Sequence, residues 1–308
     1  IAAQNHHIFK ELQYLSNIDY KPIRYISFAH DEETYKALEA SKAWSKAEMI
    51  APKQFREEIS PYFNANPKKY ISALVSEDCW QETPGKVVDL VRNLGIAAGG
   101  TVMEDCRVLE ACREGKYTSV LVQTHDKKYV EYRTEHFVNA LGSGAGKLCD
   151  SMGIDAGLYP VRHQAFITRR LPMLGKHGTN LDMLIDRQDY KGFSAVYGQQ
   201  IAYTGQIIGC ASPKLDAMRI DKNLKVNTKA FLEIVSEMFS EWIPDLAGVG
   251  IQAVWAGYYT EPRYIVDPEL GLFVGMRGHG FMLSQYIARM YVDKLLGRPV
   301  PEYFEKLK

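Results

Sequence analysis

The segment Gly275–Met282 is the part of this sequence whose residue types best suit binding chemistry. It reads Gly-Met-Arg-Gly-His-Gly-Phe-Met and stands between a short apolar run and a helical pattern. Glycines let a backbone approach a ligand closely, and the free amides that begin a helix favour negative charge. The segment therefore suits a phosphate, a carboxylate or the electron-rich end of a reduced flavin. A turn that serves only for packing has the same pattern.

A second glycine turn follows an apolar run at Phe137–Ala145. Its order is Phe-Val-Asn-Ala-Leu-Gly-Ser-Gly-Ala, and the small residues again permit close backbone approach. The alternative is a tight strand-to-helix turn that binds nothing. The pair Gly146-Lys147 just beyond it is not a P-loop, because Leu141 stands where that motif needs glycine and Leu148 where it needs Ser or Thr.

The composition excludes several classes of protein. The 308 residues include 37 Lys and Arg against 37 Asp and Glu, and this zero net charge gives no support for nucleic-acid binding. No apolar run reaches the length of about 18 residues that a membrane span needs. The histidines are scattered and the five cysteines form no C-x-x-C pair, so we predict neither a metal site nor a disulfide framework. Reduced thiols predict a cytoplasmic location.

Helical and strand patterns alternate along the chain. Apolar spacing, N-cap residues and Pro signals predict helices at 2–16, 31–46, 86–94, 228–239 and 281–296. Short apolar or alternating runs predict strands at 23–29, 70–75, 106–110, 117–123, 129–132, 136–141, 161–168, 181–186, 195–199, 206–210, 254–259 and 272–274. This mixture predicts an α/β fold that also contains an antiparallel sheet.

Four short motifs match one protein family in order along the chain. Val138–Gly142 is similar to a V-N-A-A-G turn, Pro160–Gln164 to a P-V-R-G-Q strand, and Trp255–Gly257 to a W-A-G strand. Gly275–Met282 is similar to the G-x-x-G-H-G-F-M flavin turn, which is the most specific match. Together they resemble FAD-dependent oxidoreductases of the D-amino-acid oxidase, glycine oxidase and sarcosine oxidase group. The resemblance covers essentially the whole chain.

The sequence departs from that family at two main places. Thr260–Pro268 replaces the T-P-D-G-x-P loop, keeping Pro262 but not the acidic and glycine positions. The family begins with a strand, a G-x-G-x-x-G turn and a helix, whereas the first glycine here is Gly85. The resemblance therefore implies a chain that lacks the N-terminal dinucleotide-binding βαβ unit, as a fragment, a cleaved protein or a split protein. An upstream segment or a second chain would then supply the ADP-binding unit.

The resemblance also implies how the fold is divided. It predicts an incomplete FAD-binding Rossmann-like domain interleaved with an antiparallel-sheet substrate domain. Residues 61–155 and 261–308 would form the FAD-binding domain, and residues 1–60 and 156–260 would form mainly the substrate domain with connecting helices.

The implied chemistry is oxidation of a small amine or amino acid. A hydride would pass from the amine-bearing carbon to flavin N5, and the resulting imine would be hydrolysed. FAD would be bound non-covalently, because no cysteine lies in the turn at 275–282. The resemblance assigns cofactor binding to Val108, Asn139, Ala140, Gly142, Gly275, Arg277, Gly278, His279, Gly280, Phe281 and Met282.

Arg277 and Tyr258 are the predicted catalytic residues, and with Gln164 they are predicted to bind substrate. Arg277 would place a positive charge beside the flavin or grip a substrate carboxylate in a bidentate pair. The alternatives are a surface salt bridge for Arg277 and an aromatic core position for Tyr258.

Two other functions are open on the sequence. A non-catalytic or assembly subunit would keep the fold as a scaffold without FAD, which the missing glycine-rich unit favours. An anion-binding module would use only the turn at 278–280. The retained flavin turn favours the enzyme.

Overall fold

A computed structural model describes residues 1–16, 18–44, 46–171, 174, 181–188, 192–201, 204–213 and 228–307. Its helices are α1 (Ala2–Leu15), α2 (Glu32–Ser41), α3 (Pro52–Gln54), α4 (Pro84–Ala97), α5 (Ala145–Ser151), α6 (Thr228–Trp242) and α7 (Gly280–Leu295). Its strands are β1 (Lys21–Ala29), β2 (Ala47–Ile50), β3 (Ser72–Gln81), β4 (Arg107–Glu114), β5 (Tyr117–Gln123), β6 (Tyr129–Thr134), β7 (Tyr159–Thr168), β8 (Met183–Asp186), β9 (Phe193–Ile201), β10 (Gln206–Pro213), β11 (Ile251–Glu261), β12 (Ile265–Asp267) and β13 (Leu272–Val274). No helix within these described ranges is long and apolar enough to cross a membrane.

The chain folds into two compact units made of interleaved segments. Unit 1 contains Ile1–Tyr20, Glu82–Val161 and Tyr258–Lys308, and unit 2 contains Lys21–Gln81 and Arg162–Gly257. The boundaries differ from the predicted ones, because residues 1–20 group with the C-terminal segment and residues 61–81 with the central strands. Long-range packing decides this grouping, and a local pattern does not reveal it. The assignment of one unit to FAD and the other to substrate stays a prediction.

Unit 2 contains most of an eight-stranded mixed sheet. The strand order is β11-β7-β10-β9-β8-β1-β3-β2. Strands β1 and β8 run parallel, whereas β1 pairs with β3, and β9 with β8 and β10, in the antiparallel sense. Helix α6 buries Phe231, Val235 and Phe239 in the same apolar cluster as the sheet residues Phe166 and Ile207. This cluster is the core of the unit, and apolar burial of this kind is the main force that holds a fold together.

Unit 1 combines a small sheet, a hairpin and two packed helices. Strands β4, β5 and β6 form an antiparallel sheet in that order, and β12 pairs with β13. Helix α1 packs on α7, where the buried Asn5 accepts a hydrogen bond of 2.8 Å from the Tyr286 amide. This contact joins the beginning of the described chain to its last long helix.

The mixed α/β class is confirmed, and most predicted elements form. Two helix ends are wrong: α2 stops at Ser41, and α4 continues through Gly95 to Ala97. Gly99 lies just beyond the end of α4, and its φ of +92° is the left-handed conformation that commonly follows a helix. The predicted strand at 136–141 is also wrong, because only Asn139 forms an isolated bridge, with Leu272.

Candidate functional site

The glycine turn lies between β13 and α7 in unit 1, and two of its glycines are required by neighbouring protein atoms. Gly275 has a φ of +72°, and a Cβ there would overlap the carbonyl oxygen of Arg263. A Cβ on Gly278 would lie 2.6 Å from Cε2 of the Tyr259 ring. The packing interpretation therefore accounts for these two positions without a ligand. It also means that a larger residue at Gly278 would disturb Tyr259 before it met any cofactor.

Arg277 is fixed by the end of β11. Its Nε donates a 2.6 Å hydrogen bond to Oε2 of Glu261, and its amide donates a 3.2 Å bond to the carbonyl oxygen of Thr260. Its φ of +50° is a left-handed conformation that costs a non-glycine residue about 1–2 kcal/mol. The Glu261 side chain is only 10% exposed, whereas that of Arg277 is 41% exposed. The turn thus carries an arginine whose Nε side is already paired.

His279 is the second polar side chain of the turn. Its Nδ1 lies 2.7 Å from the hydroxyl oxygen of Tyr264, and either atom can be the donor. Burial, reinforced by the positive charge of Arg277, lowers the pKa of His279. Burial also raises the pKa of Tyr264. At neutral pH the pair is therefore a neutral imidazole hydrogen-bonded to a neutral phenol.

The start of α7 offers free hydrogen-bond donors. The first amides of a helix have no partner within the helix, and no side chain caps this one. Those amides belong to Gly280, Phe281 and Met282, and the Met282 side chain is exposed. A set of uncapped amides at the positive end of a helix dipole suits an electron-rich ring edge. The residues present therefore fit a flavin at this turn.

The second glycine turn lies beside the first. The Asn139 amide donates to the carbonyl oxygen of Gly271 at 2.8 Å, and the Phe273 amide donates to the Asn139 carbonyl oxygen at 2.9 Å. The Asn139 side chain is buried, donates to the carbonyl oxygen of Ala145 at 3.1 Å and accepts from the Leu141 amide at 3.2 Å. Asn139 therefore shapes its own turn through its side chain.

Ala140 and Gly142 continue that turn at the protein surface. Both residues are exposed, and Gly142 has a φ of +55°. A Cβ on Gly142 would meet no heavy atom within 4 Å. The backbone of Ala140 and Gly142 is therefore accessible to a ligand, as their predicted role in cofactor binding requires.

The remaining predicted residues are distributed over both units. Val108 lies in β4 of unit 1, at a bulge, and Tyr258 is a half-buried residue of β11 in the same unit. Gln164 lies in β7 of unit 2 and is 1% exposed. Its neighbour His163 is also largely buried, and this burial lowers the pKa of His163 to about 4. The roles of Val108, Tyr258 and Gln164 stay predictions.

Sequence reasoning missed Glu261 and Tyr264, which hold the two polar side chains of the turn. The available signal was an acidic residue directly before Pro262, in the loop that departs from the family pattern. Within the described part of the chain, no group of three or more His, Cys, Asp or Glu side chains could hold a metal ion.

Comparison with known proteins identifies the fold and the family. No curated protein matches the chain. L-Proline dehydrogenase from P. horikoshii is similar in structure, with a TM-score of 0.77 and 23% identity, over 97% of this chain and 79% of that one. Glycine oxidase from Geobacillus kaustophilus gives a TM-score of 0.78 and 16% identity, over 98% and 80%. L-Amino acid deaminase from Proteus vulgaris gives 0.70 and 16%, over 98% and 77%.

These solved structures show that the chain has their fold. The family model for FAD-dependent oxidoreductases matches residues 1–294, which is nearly the whole chain. Proteins of this family bind FAD. The chain therefore belongs to the family of FAD-dependent oxidoreductases.

Proposed function

We propose that this protein oxidises a small amine or amino acid with non-covalently bound FAD. The chemistry that FAD supplies when bound is acceptance, at N5, of a hydride from the amine-bearing carbon of the substrate. The imine left behind is hydrolysed to a carbonyl compound and an amine. The observation that carries the proposal is the uncapped start of α7 directly behind the glycine turn, in a chain of this family.

The turn supplies what a flavin that gains negative charge requires from a protein. The amides of Gly280, Phe281 and Met282 point donors toward such a charge without having to reorganise, which is how preorganised sites lower a barrier. His279 is uncharged at neutral pH, so it can donate or accept a proton at Nε2 while Tyr264 holds Nδ1. The exposed backbone at Ala140 and Gly142 would be a second place where the protein contacts the cofactor.

Arg277 supplies a positive charge at the turn. Glu261 holds its Nε and fixes the guanidinium group, so the Nη atoms are the ones that would face cofactor or substrate. Tyr258 and Gln164 are the proposed contacts to the substrate. Val108 would contact FAD through its backbone, as the family resemblance implies, and Asn139 would serve the cofactor by holding the turn at 139–145 in shape.

The second candidate is a non-catalytic or assembly subunit that shares the fold. One observation favours it: residues 1–84 contain no glycine, so they offer no glycine-rich turn for the pyrophosphate of FAD. An upstream segment or a second chain that supplies the ADP-binding unit would reconcile this observation with catalysis.

A visible absorption spectrum of the purified protein separates the two candidates. Flavin bands that bleach without oxygen on addition of glycine or L-proline would support the oxidoreductase. A protein that stays colourless once unbound FAD has been removed, both alone and when co-expressed with the segment encoded directly upstream, would support the scaffold.

The role of Arg277 is tested in the flavin-loaded protein. Arg277→Met should lower kcat by about 10²–10³, the usual loss when one charge-stabilising group is removed. Arg263→Met, at an exposed position in the same region, is the matched control. Equal turnover and equal flavin spectra in both variants would show that Arg277 has no such role.

A further inference from the structure

A cavity in unit 2 lies between α6 and the sheet, among residues that no part of the proposed reaction uses. Its volume is about 220 Å³. Phe166 and Ile207 line it from the sheet, Val235 and Phe239 from α6, and Leu246 from the segment after that helix. All five of these side chains are buried and apolar.

A pair of glycines shapes the sheet side of this cavity. Gly198 of β9 lies opposite Gly209 of β10, so the two strands have no side chains at this cross-strand pair. A Cβ on Gly198 would overlap the ring of Phe239, and a Cβ on Gly209 would overlap the ring of Phe166. A glycine inside a strand often marks a place where another group comes close to the backbone. Here the groups that come close are the rings of Phe166 and Phe239. The rings meet edge to face with centroids 5.3 Å apart, and the cavity lies beside them.

The lining contains almost nothing that could satisfy a charge or several hydrogen bonds. Among the described residues, only Thr168 and Ser236 carry a polar side chain in this wall. The Thr168 hydroxyl oxygen already accepts a 2.9 Å bond from the Ile207 amide. Ser236 is exposed, so this side of the cavity reaches the protein surface. An ion would lose its hydration here without compensation, whereas an apolar molecule would not.

We propose that this cavity is a binding site for a small, uncharged, apolar molecule. Its ligand has the bulk of one aromatic ring or a short alkyl chain, with at most one neutral polar group directed to Ser236. The size supports this choice, since apolar cavities of about 150 Å³ stay dry and bind benzene or xenon. All of its lining residues belong to unit 2 and none is assigned a role in the proposed oxidation, so the proposal does not depend on that reaction.

Benzene, xenon and benzoate are the probes that test the proposal. Benzene should bind saturably and raise Tm with concentration, because a ligand that binds only the folded state stabilises it. Benzoate, a ring of similar size with a charge, should not compete with benzene for the cavity. Xenon under pressure should occupy the cavity beside Phe239 in a crystal of the unmodified protein.

Two variants locate the binding. Leu232→Trp fills the cavity from a half-buried position of α6, and Glu233→Trp places the same side chain on the exposed face of that helix. Benzene binding should be lost in the first variant and kept in the second. Absence of both xenon and benzene from the unmodified protein would overturn the proposal, as would competition of benzoate with benzene for the cavity, and neither result depends on a variant that folds.

Discussion

Raising the pH should weaken the fold of unit 2 through one ion pair, between His30 and Asp186. His30 Nε2 lies 2.9 Å from Oδ1 of Asp186, and Nδ1 lies 2.8 Å from the carbonyl oxygen of Lys69. A carboxylate and a carbonyl group only accept hydrogen bonds, so both ring nitrogens must donate and the ring is an imidazolium. The side chains of His30 and Asp186 are 9% and 1% exposed, which makes this a buried pair.

The sign of the pH effect follows from the pKa of His30. Burial lowers this pKa, but the hydrogen bond and the charge of Asp186 outweigh burial and raise it above its ordinary value. The stabilisation is therefore complete below the unfolded pKa of about 6.5 and is lost as the pH rises through the folded pKa. In that window, stability should fall with a slope of at most about 1.4 kcal/mol per pH unit.

The loss of unfolding free energy in His30→Leu depends on which hydrogen-bond donors remain for the Asp186 carboxylate. His30→Leu would leave the Asp186 carboxylate buried with, among the described residues, the Gln188 amide and the Trp242 indole as donors, at 2.9 and 3.5 Å. Breaking a buried pair costs about 3–5 kcal/mol. We expect about 3 kcal/mol, the lower end, because the imidazole borders a cavity of about 290 Å³ that is lined by polar residues.

Urea unfolding between pH 5.5 and 8.5, followed by tryptophan fluorescence, measures both quantities. Above about pH 6.5 the unmodified protein should lose stability with rising pH relative to His30→Leu, which should start lower. His7→Leu, which removes an exposed imidazole, should keep the steep profile. His163, whose pKa is lowered to about 4 in the folded protein, gains a proton only on unfolding, so it adds stability as the pH rises towards about 6.5. This opposing contribution is the same in all three proteins and cancels when their profiles are compared. Parallel profiles for His30→Leu and the unmodified protein would refute the argument.

Three substitutions and one control, Gly115→Ala, test the packing of the turns and the sheet by the same unfolding measurement. Gly275→Ala should cost more than about 3 kcal/mol, because it combines left-handed strain with an overlap on a carbonyl oxygen. Gly115→Ala, with a similar φ of +63° and open space, should cost only about 1–2 kcal/mol, and equal losses would contradict the overlap. Asn139→Ala should cost about 1–3 kcal/mol, since it removes the partner of the buried Ala145 carbonyl group and the acceptor of the Leu141 amide; no loss would mean that water replaces them. Gly198→Ala should cost about 1–3 kcal/mol by pushing against a phenylalanine ring of α6, and a neutral result would show that the ring moves freely.

Local signals predicted the elements well, and long-range pairs could not be predicted. The helix predicted at 31–46 begins at Asp31, whose side chain accepts a 2.8 Å bond from the Thr34 amide and so caps α2. Strand β5 matches its predicted range because its alternation is regular. Residues 136–141 have the composition of a strand but lack a continuous partner, and pairing is what makes a strand. Glu261 and Arg277 are 16 positions apart on either side of a hairpin, so only the folded turn brings them together.

The contact between Asn5 and Tyr286 has a consequence for how the chain folds during synthesis. The two residues are 281 positions apart, so α1 must wait for α7 before it has its partner. All segments of unit 2 have been made once residue 257 leaves the ribosome. Because domains tend to fold as units while the chain grows, unit 2 can fold first. Unit 1 then closes later, because α1 gains its partner only after the residues of α7 have been made.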